Sequence, residues 1–153
     1  AELIDFTATV YDWCGIEPGY WHYGKSLTSV IAGETDTLRD AVFCEGGRLD
    51  GEMHASERDS NPTKESLYWP RVGAQEFIPE HTKATMIRTE RYKYVRRLYE
   101  KDELYDLQED PRELVNRIDD PALAGVLAEL KDRMLRWYQE TCDVVPFEPD
   151  RRG

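Results

Sequence analysis

Three places in the sequence carry residue types whose spacing could do chemistry. Gly19 to Ser26 reads Gly-Tyr-Trp-His-Tyr-Gly-Lys-Ser. It matches G-x-x-x-x-G-K-[ST], a loop whose backbone amides cradle a phosphate while the lysine reaches the outer oxygens. Glu52 and His54 stand two apart in a polar stretch, a pair able to pass a proton or to hold part of a metal site. Arg88, Arg91, Lys93, Arg96 and Arg97 crowd cations around a single Glu90, a concentration that can attract a sulfated partner.

Each of these has a plainer reading. A phosphate loop needs a buried strand before it, a helix after it and small residues inside. Here a helical pattern and Gly15 come first, and Tyr20, Trp21, His22 and Tyr23 fill the interior. The stretch therefore reads as a connector whose aromatics pack on the domain. Glu52 and His54 have no third ligand at helical spacing, so they read as two polar side chains on a loop. The cations, alternating along paired strands, form a solvated face or pair with neighbouring acids.

The elements that must position these residues follow from periodicity. Leu3, Phe6, Val10, Trp13 and Cys14 recur at three and four, which predicts a helix over Glu2–Cys14 stopped by Gly15. The chain opens inside this pattern with no polar lead-in, as the continuation of an upstream unit would. A short helix is expected from Ser26 to Ala32, capped by Ser26 and stopped by Gly33. Asp40 to Glu45 reads as a strand ended by Gly46 and Gly47. Leu49 to Lys83 is polar and irregular, a length of structureless chain that usually carries function. Thr85–Thr89 and Tyr92–Tyr99, rich in β-branched and aromatic residues, read as a hairpin turning at Glu90 and Arg91. That pair lacks the Asn-Gly or Gly-x chemistry such turns prefer. Asp102 to Leu107 is a short extended segment ending at a turn begun by Asp110 and Pro111.

The last helix has the clearest signal. Asp120 is an N-cap and Pro121 takes the first helical position. Leu123, Val126, Leu127, Leu130, Met134, Trp137 and Tyr138 then make an apolar stripe that needs a sheet to lie on. Asp143 to Gly153 reads as a surface tail.

The totals narrow the partners. With 153 residues the chain has one domain's worth of core. A net charge of −11 excludes nucleic acid or an anionic membrane as the main partner, since both need a cationic face. No apolar run approaches the roughly 20 residues of a membrane-spanning helix. Three cysteines, Cys14, Cys44 and Cys142, form no CxxC pair, which argues against a zinc ribbon. Three reduced thiols is the simplest account, and bacterial cytoplasm and periplasm both stay open.

The stretch Met86-Ile-Arg-Thr-Glu-Arg-Tyr-Lys-Tyr-Val95, followed by Asp102-Glu-Leu-Tyr-Asp-Leu and Asp110-Pro-Arg-Glu-Leu-Val-Asn116, resembles the C-terminal end of sulfatases. These belong to the alkaline-phosphatase-like superfamily, and the likeness is greatest to the branch of bacterial sulfatases and N-sulfoglucosamine sulfohydrolase. Leu3-Ile-Asp-Phe-Thr-Ala-Thr9, Cys14-Gly-Ile16, Pro18, Gly24-Lys-Ser-Leu27 and Ile31-Ala-Gly33 are similar to the segment that follows the catalytic domain's last metal ligands in that family. Ala8 stands where the family usually has proline, a benign change because a first helical turn tolerates proline without requiring it.

The resemblance implies an α+β fold: a small antiparallel sheet of about four strands packed against a long C-terminal helix. N-terminal helical segments over 1–36 then belong with an upstream catalytic domain. Residues 37–143 form the C-terminal subdomain with its long loop 49–83, and 144–153 form the tail. Calcium and formylglycine are implied for the full-length parent, and no catalytic or metal-binding residue is assigned to this chain. Cys44-Glu-Gly-Gly-Arg48 has the outer spacing of the family's Cys-x-Pro-x-Arg nucleophile motif without its third residue. Cys44 is therefore expected to be a buried strand thiol, a small hydrophobe. Family loops that reach the mouth of the active site would make His54, Trp69, Gln75 and His81 candidates for the substrate rim.

The reading that results is the C-terminal portion of a sulfatase acting on sulfate esters or sulfamates, with a sulfated small molecule or sugar as substrate. It would complete the fold and the pocket rim while lacking the catalytic machinery. A free-standing interaction module binding an acidic or sulfated partner is the alternative, and a nucleotide-binding enzyme resting on the Gly19 loop is the third.

Overall fold

The computed structural model describes residues 1–49 and 82–142. Four antiparallel strands, β1 (Ala41–Gly46), β2 (Ala84–Thr89), β3 (Tyr92–Arg97) and β4 (Glu103–Asp106), lie side by side in chain order. Register places Phe43, Ile87, Tyr94 and Leu104 in one cross-strand row. Side chains alternate across a strand, so this row and Ala41 present a single apolar face.

The C-terminal helix, α3 (Ala124–Thr141 in chain order after two N-terminal helices), covers that face. Leu130 and Met134 close the core with Ala41, Ile87, Tyr94 and Leu104, and Phe43, Ile118, Leu123, Val126, Leu127 and Tyr138 pack around it. Each fully buried aliphatic side chain contributes about 1.5–3 kcal/mol, so this is where the stability of the described chain is concentrated. The expected start of the helix is present. The Asp120 carboxylate accepts the Ala122 amide at 2.9 Å, and Pro121–Leu123 form a 3₁₀ turn that leads into α3.

The hairpin turns at Glu90 and Arg91 as read from the sequence. A hydroxyl supplies what the turn residues lack: Thr89 Oγ1 accepts the Tyr92 amide at 2.9 Å and donates to the Tyr92 carbonyl at 3.1 Å. Both edges of the sheet are partly covered. On β4, Leu104 donates its amide to Asn116 Oδ1 at 3.0 Å and accepts from the Arg117 amide at 2.8 Å. On β1, the Phe43 amide donates to Glu2 Oε1 at 2.7 Å. Unpaired edge groups invite association, and these contacts remove some of them.

The N-terminal helix, α1 (Leu3–Cys14), ends at Gly15 with φ 64°, the left-handed cap that glycine adopts without steric cost. Its orientation departs from the usual amphipathic pattern. The buried residues are Asp5, Ala8 and Thr9, while Leu3 is 95% exposed, Phe6 69% and Trp13 63%. The second helix, α2 (Thr28–Ile31), is shorter than the sequence suggests. Leu27 takes the N-cap position, while Ser26 Oγ donates to Asp12 Oδ2 at 2.6 Å and accepts the Thr28 amide at 3.2 Å.

Cys44 corrects an expectation. It lies opposite Met86, on the sheet face away from α3, and is exposed rather than buried. Phe43, its neighbour, takes the core side and stacks on Trp137 with ring centroids 4.8 Å apart. Cys14 and Cys142 are exposed too, and all three are free thiols.

Candidate functional site

The C-terminal end of the connector Gly19–Ser26 meets α1. The Lys25 amide donates to Asp5 Oδ1 at 2.9 Å, and the Leu27 amide to Thr9 Oγ1 at 2.9 Å. A β-carbon on Gly24 would stand 2.4 Å from the Ile4 carbonyl oxygen, so glycine is needed there for close approach to the helix. The Gly-Lys-Ser triplet thus meets the requirements of α1, and the Lys25 amide that a phosphate would need is given to a carboxylate. Tyr11 and Tyr20 join their hydroxyls at 2.8 Å over this loop.

At the centre of the junction lies Asp5, whose side chain is fully buried. The Arg39 guanidinium grips it at 3.2 and 2.5 Å, pairs with Glu2 at 3.3 Å and donates to the Tyr23 carbonyl at 3.0 Å. Burial alone would raise the Asp5 pKa. Hydrogen bonds from Arg39 and from the Glu2 and Lys25 amides outweigh it and hold the carboxyl down to about 2. The sequence reading missed this knot because it followed the apolar stripe. Asp5, Thr9 and Asp12 recur at four and three on the same helix, a polar stripe as regular as the apolar one.

The cations of the hairpin are largely neutralised. Arg91 pairs with Asp106 at 2.8 Å, Lys93 with Glu113, Arg96 with Asp102 at 2.9 Å, and Arg97 with Glu103 at 2.6 Å. Arg91 and the Gln108 and Glu109 amides keep the Asp106 carboxyl below the usual carboxylate range. Among the described residues, Arg88 alone of the five makes no ion pair. The expectation that these cations pair with neighbouring acids holds for four of the five.

The Asp-Pro-Arg-Glu-Leu-Val-Asn signature acts as a strut. Asp110 Oδ2 accepts the Val115 amide at 2.8 Å. Asn116 accepts from the Leu104 and Ile118 amides, each at 3.0 Å, and donates to the Asp102 carbonyl at 3.0 Å. Glu113 sits at φ 57° while pairing with Lys93, a left-handed backbone uncommon for glutamate. Tyr94, buried beneath, donates its hydroxyl to Asp102 at 2.7 Å; burial first, then that carboxylate, pushes the phenol well above its ordinary range.

His54, Trp69, Gln75 and His81 lie outside the described residues, as do Glu52 and the tail. The two described ends of their stretch meet. Gly47 turns at φ 79°, Arg48 bridges Thr82, and the Lys83 amide donates to the Arg48 carbonyl at 3.0 Å. A β-carbon on Gly47 would fall 2.2 Å from the Thr82 carbonyl oxygen. The Cys-Glu-Gly-Gly-Arg run is therefore the exit of β1 into this clamp. Among the described residues no three His, Cys, Asp or Glu side chains gather as metal ligands. No buried side-chain nitrogen or oxygen there lacks a hydrogen-bond partner. These residues do not fit a calcium centre or a formylglycine nucleophile. No helix among them is long and apolar enough to cross a membrane.

A sheet backed by one long helix, with its signature residues spent on bracing, defines an α+β unit. The sequence matches the family described as N-sulphoglucosamine sulphohydrolase, C-terminal, over residues 52–140, and the chain belongs to that family. No curated protein matches it. Among solved structures it is similar to the phosphonate monoester hydrolase of Agrobacterium radiobacter, at 26% identity and TM-score 0.61 over 89% of this chain and 24% of that one. The phosphonate monoester hydrolase from Silicibacter pomeroyi matches at 27%, with the same coverages and TM-score. A 2-O GAG sulfatase matches at 25% and TM-score 0.64, over 91% of this chain and 25% of its own. The chain spans about a quarter of the length of these relatives.

Proposed function

We propose that this chain is the C-terminal portion of a sulfatase that hydrolyses sulfate esters or sulfamates, and that it completes the fold and the rim of the substrate pocket. The family match over residues 52–140 carries this reading. The 2-O GAG sulfatase among the similar structures points to sulfated sugars as the substrate class. Formylglycine and calcium are assigned to the catalytic domain upstream in the same protein, whose surface covers Leu3, Phe6 and Trp13. His54, Trp69, Gln75 and His81 remain the proposed rim residues. The alternative of a free interaction module loses its main support, because the hairpin cations are matched by carboxylates.

The test is turnover by the intact protein. It is expected to release sulfate from a sulfated sugar in a calcium-dependent way, while this chain alone releases none. Calcium-dependent turnover by the chain alone would refute the assignment of roles. Because two phosphonate monoester hydrolases are among the similar structures, a phosphonate monoester belongs in the same assay. Faster turnover of that ester would move the parent to the second class. Alanine at each rim candidate in the intact protein is expected to shift preference among sulfated substrates.

A further inference from the structure

The apolar core leaves out α1: none of its residues belongs to the cluster built on Ile87, Tyr94 and Leu104. What ties α1 to the sheet is the ionic knot. Arg39 stands two residues before β1, and its side chain, 14% exposed, reaches Glu2, Asp5 and the Tyr23 carbonyl. Glu2 in turn holds the Phe43 amide on the outer edge of β1, the side with no neighbouring strand among the described residues. At the far end of the same strand, Gly47 delivers the chain to the clamp with Thr82 and Lys83. One strand thus has the knot at its start and the clamp at its exit.

We infer that Arg39 is a positioning residue, whose knot sets the sheet and its Gly47–Thr82 clamp at a fixed place relative to α1, and with them the reach of this subdomain toward an extended sulfated substrate. The substrate class rests on the proposed sulfatase function, whereas the knot stands on its own geometry. A guanidinium suits the task because its planar fork serves two Asp5 oxygens and a carbonyl together, which the point charge of a lysine cannot do. Small misplacement of a binding element far from the reacting atoms is felt by substrates that reach it and not by those that do not.

The experiment uses the intact protein with Arg39→Lys, which keeps a charge beside buried Asp5 while losing the fork. Asp5→Asn combined with Arg39→Gln serves as a second variant without the charges. Arg133→Gln, which breaks the exposed pair with Asp40 beside β1, is the control. Both knot variants are expected to raise KM for a sulfated disaccharide about tenfold with kcat held within about twofold, and to leave both constants for a small aryl sulfate unchanged. Amide exchange at Lys83 and Leu98 rises in the knot variants and not in the control. Equal losses on both substrates would reduce Arg39 to a general structural role, and an unchanged KM for the disaccharide would overturn the inference. If the intact protein turns over neither sulfate, the sulfatase reading has failed and exchange decides alone: faster exchange at Lys83 supports the positioning role, and unchanged exchange overturns it.

Discussion

The two long helices among the described residues carry the same kind of pattern and use it in opposite ways. Helix α3 puts Leu130 and Met134 into the core and leaves its charged side to solvent. Helix α1 buries Asp5, Ala8 and Thr9 and leaves Leu3, Phe6 and Trp13 outside. Periodicity says which residues share a face; it does not say which face has the partner. Around α3 the partner is the sheet, and the hydrophobic term dominates. Around α1 the contact among the described residues is polar, held by an ion pair and backbone amides, and the apolar face is exposed.

Breaking each helix's own contact should separate the two modes. Truncation after Asp120 removes α3 and is expected to abolish cooperative thermal unfolding, since the sheet loses its only described apolar cover. Leu130→Ala should cost about 2–4 kcal/mol by urea denaturation, from lost burial and a residual cavity. Asp5→Ala leaves Arg39 with only Glu2 and the Tyr23 carbonyl and should cost about 1.5–3 kcal/mol, the loss of charged hydrogen bonds at a buried site. The same measurement reads it, and a loss below about 1 kcal/mol would mean that the knot is not the joint.

Acid titration sharpens the contrast. Asp5 is held down to about 2 against an ordinary 3.8, so its folded form binds a proton less readily than its unfolded form. Its contribution is therefore fully present above about pH 4 and is lost as pH falls through about 2, a term of about 2 kcal/mol. Asp5→Asn should flatten the stability curve over that window and leave Leu130→Ala unaffected. Leu3→Ser with Phe6→Ser is the smallest effect. It should change the stability of this chain by less than about 0.5 kcal/mol. The same pair should destabilise the intact protein clearly if an upstream domain covers this face.

Much of the sheet and of α3 was legible in the sequence, because Asp120, Pro121 and the Leu123–Tyr138 stripe state their geometry locally. Gly15 likewise announced the end of α1. What was not legible depends on contacts distant in the chain. Pairing of the hairpin cations with neighbouring acids was one expectation, but which acids serve was not legible, because Asp102, Glu103, Asp106 and Glu113 arrive later in the chain from other segments. Cys44 was expected inside because a free thiol behaves as a small hydrophobe, yet alternation gave Phe43 the core and turned the thiol outward. Arg39 carried no signal of its own: a lone arginine before a strand is ordinary until Asp5 is seen buried 34 positions away.

The backbone clamp at Gly47, Arg48, Thr82 and Lys83 has an evolutionary consequence. It closes the long excursion at its root through main-chain groups, so the closure does not depend on what is written between. Lengthening such a closed excursion costs little, about 0.6 kcal/mol for each doubling. The strand pairing beneath keeps its register while the inserted text changes. Changes of sequence between Leu49 and Thr82 are therefore expected to leave the β1–β2 pairing in place, so the two ends of this stretch can stay constant while what lies between them evolves.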